Sequence, residues 1–433
     1  MSTHAPSIRR LTHGPTNHVL TNTGVWSPGG DWIYYDVRSG TGTTFDGNRI
    51  ERVNVVTGDV EVVYQSSHGA NVGVVTTSPI DDRVVFIRGP QHPTPDWSYA
   101  FWHRRGVIVD IDVEHASRFA SPLEAADYRP PFTPGALRGG THVHVFSPNA
   151  SLVSFTYDDH VLATTSDPAA AKNQRNIGVA KLGIPVVVPS HHPRNEDGTA
   201  YSVLVTRTVD SPVPGSDEIN RAYEDAWVGD DQIAFIGDTI SPSGDTVAEL
   251  FIVRIPDDWT TGAYGPIEGT STARPSPPAG CHQRRLTFTT DRRFPGLAKV
   301  RHWPRCRPDG SEIYCLINDD AGRVQLWSID PTGFGLRQIS RAPCSIRSSF
   351  TVRRDGNAIA CVMGDDVCEI DTTTGSIKIL ADANELRHFG IRPRGEAVVY
   401  SPDGSQIAIV GESIQGNQPN HLYSIRVQET AVG

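Results

Sequence analysis

The phrase FSPNASLVSFT, from Phe146 to Thr156, decides the fold because the chain repeats it: YSPDGSQIAIV, from Tyr400 to Val410, has the same build. In each copy an apolar residue precedes a polar turn, and a strand rich in apolar residues follows. Proline presets φ in such a turn, Asp or Asn bonds back to the backbone, and Gly supplies positive φ. Each copy therefore predicts two antiparallel strands joined by a tight turn.

The chain holds five more copies of this phrase. They are WSPGGDWIYYD from Trp26, TSPIDDRVVFI from Thr77, VGDDQIAFIGD from Val228, CRPDGSEIYCL from Cys306 and VRRDGNAIACV from Val352. Further strand-like segments follow the copies, so one unit contains about four strands, which is the content of a propeller blade. We predict an all-β fold in which residues 1–433 form a single seven-bladed β-propeller domain.

Three segments lie outside the repeat. Residues 92–128 and 165–224 are predicted to be loop insertions that cover a face of the propeller. Within the second, GSDEINRAYEDAW from Gly215 predicts a short helix capped by Ser216, with acidic residues in its first turn. The N-terminal segment IRRLT has no strand before it, and the last repeat ends without a fourth strand. We expect the N-terminal strand to complete the last blade and so to remove two open edges.

The composition excludes several kinds of partner. The formal charge is −10, whereas a nucleic-acid surface needs clustered Lys and Arg. No apolar run approaches the ~20 residues of a membrane span, and the N-terminus lacks the apolar core of a secretory signal, so we expect a cytoplasmic protein. The six cysteines form no CxxC pair and are interpreted as reduced, although a disulfide between Cys306 and Cys315 is left open.

The innermost strand of each blade precedes the repeated turn, so the residues before each turn line the axis. Five positions before the turns stand Asn22, Gly73, His142, Glu224, His302, Ser348 and Glu396. Because side chains alternate along a strand, we expect His144 to point to the same face as His142. Gly139 and Gly140 on that strand permit another group to approach closely.

The His-x-His pair on this strand predicts a metal site. Two neutral imidazoles, His142 and His144, are a usual pair of ligands for a divalent metal, and His302 and Glu224 from other blades are the best candidates to complete an open site. The residue types leave the identity of the divalent metal open, with zinc, calcium and magnesium among the candidates. In the alternative interpretation the two histidines only hydrogen-bond to strand neighbours.

Other residues are candidates for substrate binding and proton transfer. Arg138 and Arg301 flank the predicted ring, where either could bind a substrate carboxylate bidentately. The catalytic candidates are His160, Arg221 and Tyr223, although Arg221 could instead pair with Asp217 or Asp225 along the predicted helix. The sequence contains no GxSxG, no phosphate-binding loop and no HExxH motif.

Several longer segments resemble a known bacterial family. GPTNHVLTNTGVW, RIERVNVVTGDVEVVY, HRRGVIV, TPGALRGGTHVHVFSPN, PGSDEINRAYEDAWVG, QRRLTFT and RHWPRC together are similar to the YidR-like proteins, often labelled TolB-like or "biopolymer transporter Tol". The resemblance spans nearly the whole chain and implies a propeller without a settled activity.

The chain is more distantly similar to the oligogalacturonate lyases. That family implies a cytoplasmic seven-bladed propeller with manganese held by three His and a Gln, including an HxH pair that a Gln precedes on one inner strand. His142 and His144 match the pair, but Gly139 stands where the Gln would be. The resemblance implies a metal-dependent enzyme that cleaves uronate-containing oligosaccharides by β-elimination. Two alternatives are a metal-assisted hydrolase or isomerase of a sugar derivative and a non-enzymatic TolB-like propeller that binds a protein or a ligand across its face. The partner that we expect is a small molecule or an oligosaccharide.

Overall fold

The computed structural model describes residues 7–39, 44–111, 120–416 and 418–427. Its strands form seven four-stranded antiparallel sheets that follow one another along the chain, and each sheet contains one copy of the repeated phrase. The predicted seven-bladed β-propeller is therefore confirmed. In the first six blades the four strands lie side by side in chain order, as short turns between neighbouring segments dictate.

The first half of the chain forms the edge strand β1, blades one to three and a two-stranded parallel pair between blades two and three. A 3-10 helix, Phe101–His103, lies within blade two. In chain order the strands are β1 (Ile8–Arg10); β2 (Asn17–Val19), β3 (Trp32–Arg38), β4 (Arg49–Asn54) and β5 (Val60–Gln65) in blade one; β6 (Val72–Thr77), β7 (Arg83–Arg88), β8 (Arg105–Asp110) and β9 (Ala120–Pro122) in blade two; the pair β10 (Ala125–Ala126) and β11 (Ala136–Leu137); and β12 (Gly139–Phe146), β13 (Leu152–Asp159), β14 (Asn176–Val186) and β15 (Gly198–Leu204) in blade three.

The second half forms blades four to seven. Two short helices accompany the strands, α1 (His160–Thr164) after β13 and α2 (Ala383–His388) before the last blade. The strands are β16 (Ala222–Val228), β17 (Gln232–Ile240), β18 (Thr246–Arg254) and β19 (His282–Arg285) in blade four; β20 (Arg305–Cys306), β21 (Ile313–Asn318), β22 (Val324–Ile329) and β23 (Arg337–Gln338) in blade five; β24 (Thr351–Val352), β25 (Ala358–Met363), β26 (Asp366–Asp371) and β27 (Ile377–Ala381) in blade six; and β28 (Ile391–Tyr400), β29 (Gln406–Ser413) and β30 (His421–Arg426) in blade seven.

Strand β1 completes blade seven. It pairs antiparallel with β30, with Ile8 opposite Ile425, and the sheet order is β1-β30-β29-β28. The predicted closure is thus confirmed, and it removes the free edges that a linear array of blades would expose.

The apolar core lies between neighbouring blades. One cluster joins Tyr35 and Val53 of blade one to Val399 and Val410 of blade seven. The indole of Trp26 donates to the Val399 carbonyl at 3.0 Å across the same boundary. Each blade is therefore buried on both faces, which explains the nearly continuous apolar runs of the middle strands.

Two buried histidines lie at the boundary where the ring closes. His18 of β2 and His421 of β30 have ring centroids 5.2 Å apart, and Thr12 Oγ1 lies 3.1 Å from Nδ1 of His18. The Leu422 N–H donates to the same hydroxyl at 2.9 Å, so the hydroxyl proton is free for an imidazole acceptor. Burial lowers the pKa of His18 to about 3 and that of His421 to about 4.

Because these two histidines are buried and neutral, we expect acid to destabilise the boundary between blades one and seven. Their pKa values are lower in the folded state than in the unfolded state, so the unfolded chain takes up protons first. Stability is then fully present above about pH 6.5 and falls by at most about 1.4 kcal/mol per pH unit per histidine as the pH drops toward the folded pKa values. Urea unfolding at pH 7.5 and pH 5 measures the slope. We expect His18→Gln to reduce it and His388→Gln, at an exposed position of α2, to leave it unchanged.

The structure corrects the predicted insertions and the predicted helix. Residues 92–128 contain β8 and β9, and residues 165–224 contain β14 and β15, so large parts of both belong to blades. The segment predicted as a helix from Gly215 instead enters β16, which pairs with β17. A register shift between Tyr223 and Ala226 marks a bulge in this strand. Ser216 accepts from the Glu218 N–H in a turn rather than capping a helix.

Two other expectations concern thiols and membranes. All six cysteines are free, including Cys306 and Cys315, so the disulfide that the sequence left open is not present. In the described parts of the chain, neither helix has the length and apolarity that a membrane span requires.

Candidate functional site

The inner strands of the blades surround a cavity of about 1070 Å³ on the propeller axis. Five of the seven residues that stand five positions before the repeated turns line it; at the other two positions the neighbours Val74 and Arg347 do so. The five are Asn22, His142, Glu224, His302 and Glu396.

The inner strands of blades two to four carry a bulge at the level of this cavity. Val74, Val143 and Glu224 have φ values of 60°, 53° and 51°, in the left-handed region that residues other than Gly seldom adopt. The registers shift at the same places, between His142 and Val145 in blade three. An added residue reverses which side chains point to which face beyond it.

The bulge separates the two histidines of the HxH pair, so the expectation that His144 shares a face with His142 is wrong. His142 is half-buried in the cavity wall. His144 is fully buried outside the cavity lining, and its Nε2 lies 2.6 Å from Oε1 of Glu124. Glu124 also accepts from the Gly106 N–H at 2.8 Å. His144 therefore belongs to the packing between blades two and three.

His302 faces the cavity, but both of its ring nitrogens bind the backbone. Nδ1 donates to the Val300 carbonyl at 2.7 Å, and Nε2 accepts from the Leu316 N–H at 3.2 Å. Burial lowers the pKa of this imidazole to about 4, so it stays neutral in that arrangement. No ring lone pair is left for a metal ion.

The predicted metal ligands therefore do not converge. Glu224 forms an ion pair with Arg301, with Oε1 2.9 Å from Nε, and its pKa is raised chiefly by burial. No three His, Cys, Asp or Glu side chains of the described ranges lie close enough together to hold a metal ion. The residues present do not fit the divalent metal that the sequence predicts.

Two more predicted site residues lie elsewhere. Arg138 is 1% exposed and binds Asp159 at 2.8 Å and the Ala273 carbonyl at 2.7 Å, so it is not available to a substrate in the cavity. His160 begins α1, where its Nδ1 lies 3.0 Å from Nε2 of His103 beside the ring of Trp97. Arg138 and His160 therefore stabilise the fold and do not face the cavity.

Tyr223 and Arg221 do line the cavity. The Tyr223 hydroxyl donates to Asp238 at 2.8 Å, and burial together with that carboxylate raises the pKa of the phenol. The Arg221 guanidinium lies 4.2 Å from the centroid of the Tyr223 ring and 3.9 Å from Asp238. The alternative pairing of Arg221 with Asp217 or Asp225 is not found, because the segment is a strand and not a helix.

Cationic side chains outnumber carboxylates in the lining of the cavity, although the whole chain is acidic. Three carboxylates line it, Asp36, Glu224 and Glu396, against eight cationic side chains. The cationic residues are Arg38, Arg104, Arg175, Arg221, Lys299, Arg301, Arg347 and Arg394.

Most of these arginines are already paired. Six of the seven have a carboxylate partner within 4.0 Å: Arg38 with Asp36, Arg175 with Asp158, Arg221 with Asp238, Arg301 with Glu224, Arg347 with Asp365 and Arg394 with Glu396. Arg104 has no such partner among the described residues, although it is only 5% exposed.

Sequence reasoning missed Arg104, Arg175 and the aromatic residues Tyr99 and Phe101 that line the cavity beside them. They lie outside the repeated phrase, in segments interpreted as insertions. Two adjacent arginines in HRRGVIV, next to an aromatic-rich segment, were the available signal.

Known proteins are similar to this chain in sequence and in fold. Residues 71–196 match the model of a family described as a protein of unknown function (DUF3748). "Uncharacterized protein YidR" of Escherichia coli (strain K12) is 47% identical over 406 residues, which cover 93% of this chain and 94% of that protein.

Solved structures share the fold at low sequence identity. An oligogalacturonate lyase in complex with manganese has a TM-score of 0.57 at 12% identity, covering 98% of this chain and 93% of that one. The oligogalacturonate lyase of Vibrio parahaemolyticus gives 0.56 at 10% identity, covering 98% and 94%. The propeller domain of the Trilobed protease from Pyrococcus furiosus gives 0.53 at 7% identity, covering 96% and 97%. The architecture is thus that of the oligogalacturonate lyases, and by its sequence the chain belongs to the YidR family.

Proposed function

We propose that the axial cavity binds a uronate-containing oligosaccharide and cleaves it by β-elimination. The observation that carries the proposal is the surplus of cations over carboxylates in the cavity of an acidic protein. Oligouronates carry one carboxylate per sugar, and arginine binds carboxylates through paired N–H donors. The fold of the oligogalacturonate lyases is consistent with this substrate class.

Guanidinium groups supply the electrostatic part of the reaction. β-Elimination begins with loss of the proton at C5, next to the C6 carboxylate, and negative charge then builds up on the carboxylate oxygens. Fixed cations at those oxygens stabilise the charge without reorganising. Arg104, Arg175 and Arg301 surround His142 closely enough to affect its pKa, so they are the groups placed for this role.

His142 is the base of the proposal. Its ring faces the cavity and, within the described residues, takes part in no hydrogen bond. Burial and the neighbouring arginines lower its pKa, so it is neutral and carries a lone pair. A substrate carboxylate held beside it would offset these positive charges and make the ring a stronger base.

Tyr223 is neither the base nor the proton donor of the proposal. Burial and the Asp238 carboxylate raise the pKa of its phenol, and its hydroxyl proton is already donated to Asp238. His142 takes the C5 proton, the electron pair of that bond forms the C4=C5 double bond, and the C4–O4 bond breaks. The leaving O4 takes a proton from solvent, and the protonated His142 ring returns its proton to solvent. The six free thiols suit a reducing compartment, and we place the reaction in the cytoplasm.

A product assay tests this proposal. Purified protein is incubated with trigalacturonate, and the expected product absorbs in the ultraviolet because its C4=C5 double bond is conjugated to the carboxyl group. Mass spectrometry should show fragments whose masses sum to that of the substrate, whereas hydrolysis adds one water. We expect the reaction to continue in the presence of a chelator, because no step passes through a metal.

Other outcomes of this assay separate the alternatives. A reaction that requires added manganese would return the metal to the mechanism, and a mass gain of one water would identify a hydrolase. Binding of trigalacturonate without any product, with or without manganese, would leave a propeller that binds an anionic sugar and is not an enzyme.

A further inference from the structure

Arg104 differs from the other arginines of the cavity because no carboxylate of the described chain lies within 4.0 Å of its guanidinium, although Asp158 is near enough to raise its pKa somewhat. It is nearly buried, and burial lowers its pKa, which means that the surroundings disfavour its charge. Retaining a buried cation without an ion-pair partner costs stability. A binding site is where such a cost is commonly found.

The guanidinium of Arg104 is held in one orientation. Its Nε donates to the Tyr99 hydroxyl at 2.9 Å, and it lies over the Phe101 ring, 4.6 Å from the centroid. That bond to Tyr99 is the one side-chain hydrogen bond that Arg104 forms to described residues, so its terminal nitrogens remain for a ligand. Tyr99 and Phe101 also line the cavity, as flat surfaces on which a sugar ring can stack.

The backbone beneath Arg104 is fixed by an unusually close approach. A Cβ on Gly140 of β12 would lie 2.4 Å from the Phe101 carbonyl oxygen and 2.8 Å from the Arg104 nitrogen. The Thr141 N–H donates to the Arg104 carbonyl at 3.2 Å. The close approach expected from Gly140 is thus made by the 3-10 helix Phe101–His103 and by Arg104.

The opposite side of this segment is anchored in a cluster of aromatic rings. His103 stacks on Trp97 with centroids 3.9 Å apart, and its Nδ1 donates to the Ser98 carbonyl at 2.7 Å. Its Nε2 must then accept from His160 Nδ1–H, 3.0 Å away, when both rings are neutral. His160 therefore helps to hold the segment that presents Arg104.

We infer that Arg104 is the primary anchor of the cavity for an anionic group of the ligand, and that it holds this group against Tyr99 and Phe101. The inference rests on the proposed function for the identity of the ligand, and it assigns the specificity for anionic over neutral sugars to this residue. The other arginines of the cavity also attract an anionic ligand. Each of them, however, must give up its ion pair with a carboxylate of the chain before it can bind a carboxylate of the ligand.

Calorimetric titration with trigalacturonate, galactotriose and citrate tests the inference. We expect the wild-type protein to bind trigalacturonate and not galactotriose. Arg104→Gln should weaken trigalacturonate binding about ten- to a hundredfold, the usual effect of losing charge-assisted hydrogen bonds. Arg104→Lys should recover part of the affinity. The unfolding midpoint of Arg104→Gln should equal or exceed that of the wild type.

Arg52→Gln is the matched control, because Arg52 also lies over an aromatic ring and binds a tyrosine hydroxyl but is outside the cavity lining. Equal trigalacturonate affinity in the wild type and Arg104→Gln would overturn the inference and leave the proposed function intact. Citrate binding that Arg104→Gln abolishes, without any trigalacturonate binding, would support the anchor and reject the proposed substrate. A wild-type protein that binds neither anion overturns both.

Discussion

Replacing His142 by glutamine is expected to lower the rate of uronide cleavage by about two to four orders of magnitude. Glutamine keeps hydrogen-bonding groups at this position of the cavity wall but has no lone pair basic enough to remove a proton from carbon. The cationic side chains that bind the carboxylates remain, so the affinity for trigalacturonate should change only a few-fold. The loss should therefore appear in kcat and not in KM.

The measurement compares kcat and KM for His142→Gln, His160→Gln and His388→Gln. His160 is one of the three catalytic candidates from the sequence, but its ring lies in the Trp97 cluster, so its replacement should act on affinity through Arg104 and not on turnover. His388 is exposed on α2 and serves as the neutral control. A large loss of kcat in His160→Gln with normal turnover in His142→Gln would reverse the assignment.

The fold could be predicted because the repeated turn is local and recurs seven times. Each copy specifies its own hairpin through Pro, Asp or Gly at fixed positions, and the strands that follow differ little from blade to blade. Blade closure could also be predicted, since IRRLT before Asn17 needs a partner strand and the last repeat lacks one. Both predictions depend on short segments whose residues can be read directly from the sequence.

The site could be predicted only in part because a single bulge changes which side chains meet. Counting back from the turn placed His142 and Glu224 correctly on the cavity wall. The same counting failed for His144, because Val143 adopts positive φ and adds one residue to the strand. A bulge of this kind leaves no mark in the sequence, since valine is neither Gly nor Asn.

The excess of cationic side chains in the cavity lining could not be predicted from the sequence for a different reason. Arg104 directly precedes β8 of blade two, and Arg175 directly precedes β14 of blade three. The two residues approach each other only when these blades pack together. The overall charge of −10 points the other way, although seven arginines and one lysine line the cavity against three carboxylates. A net charge describes the whole surface and not a cavity within it.

Arg138→Met is expected to lower the free energy of unfolding by about 3–5 kcal/mol without changing the affinity for trigalacturonate. Arg138 Nε donates to Asp159 at 2.8 Å, and both side chains are almost fully buried. Methionine fills the space but, among the described residues, leaves the Asp159 carboxylate only two donors, the Tyr157 hydroxyl at 3.2 Å and the Leu162 N–H at 2.9 Å. A buried carboxylate that loses its cation is among the largest single destabilising changes.

Urea unfolding of Arg138→Met, Asp159→Asn and the double variant measures this pair. The double variant should be more stable than Arg138→Met, because the amide of asparagine removes the uncompensated charge. The sequence had placed Arg138 at the substrate, whereas the structure places it between β12 and the Thr270 and Ala273 carbonyls. If Arg138→Met binds trigalacturonate more weakly at unchanged stability, the residue acts on the ligand after all, and the cavity extends beyond its present lining.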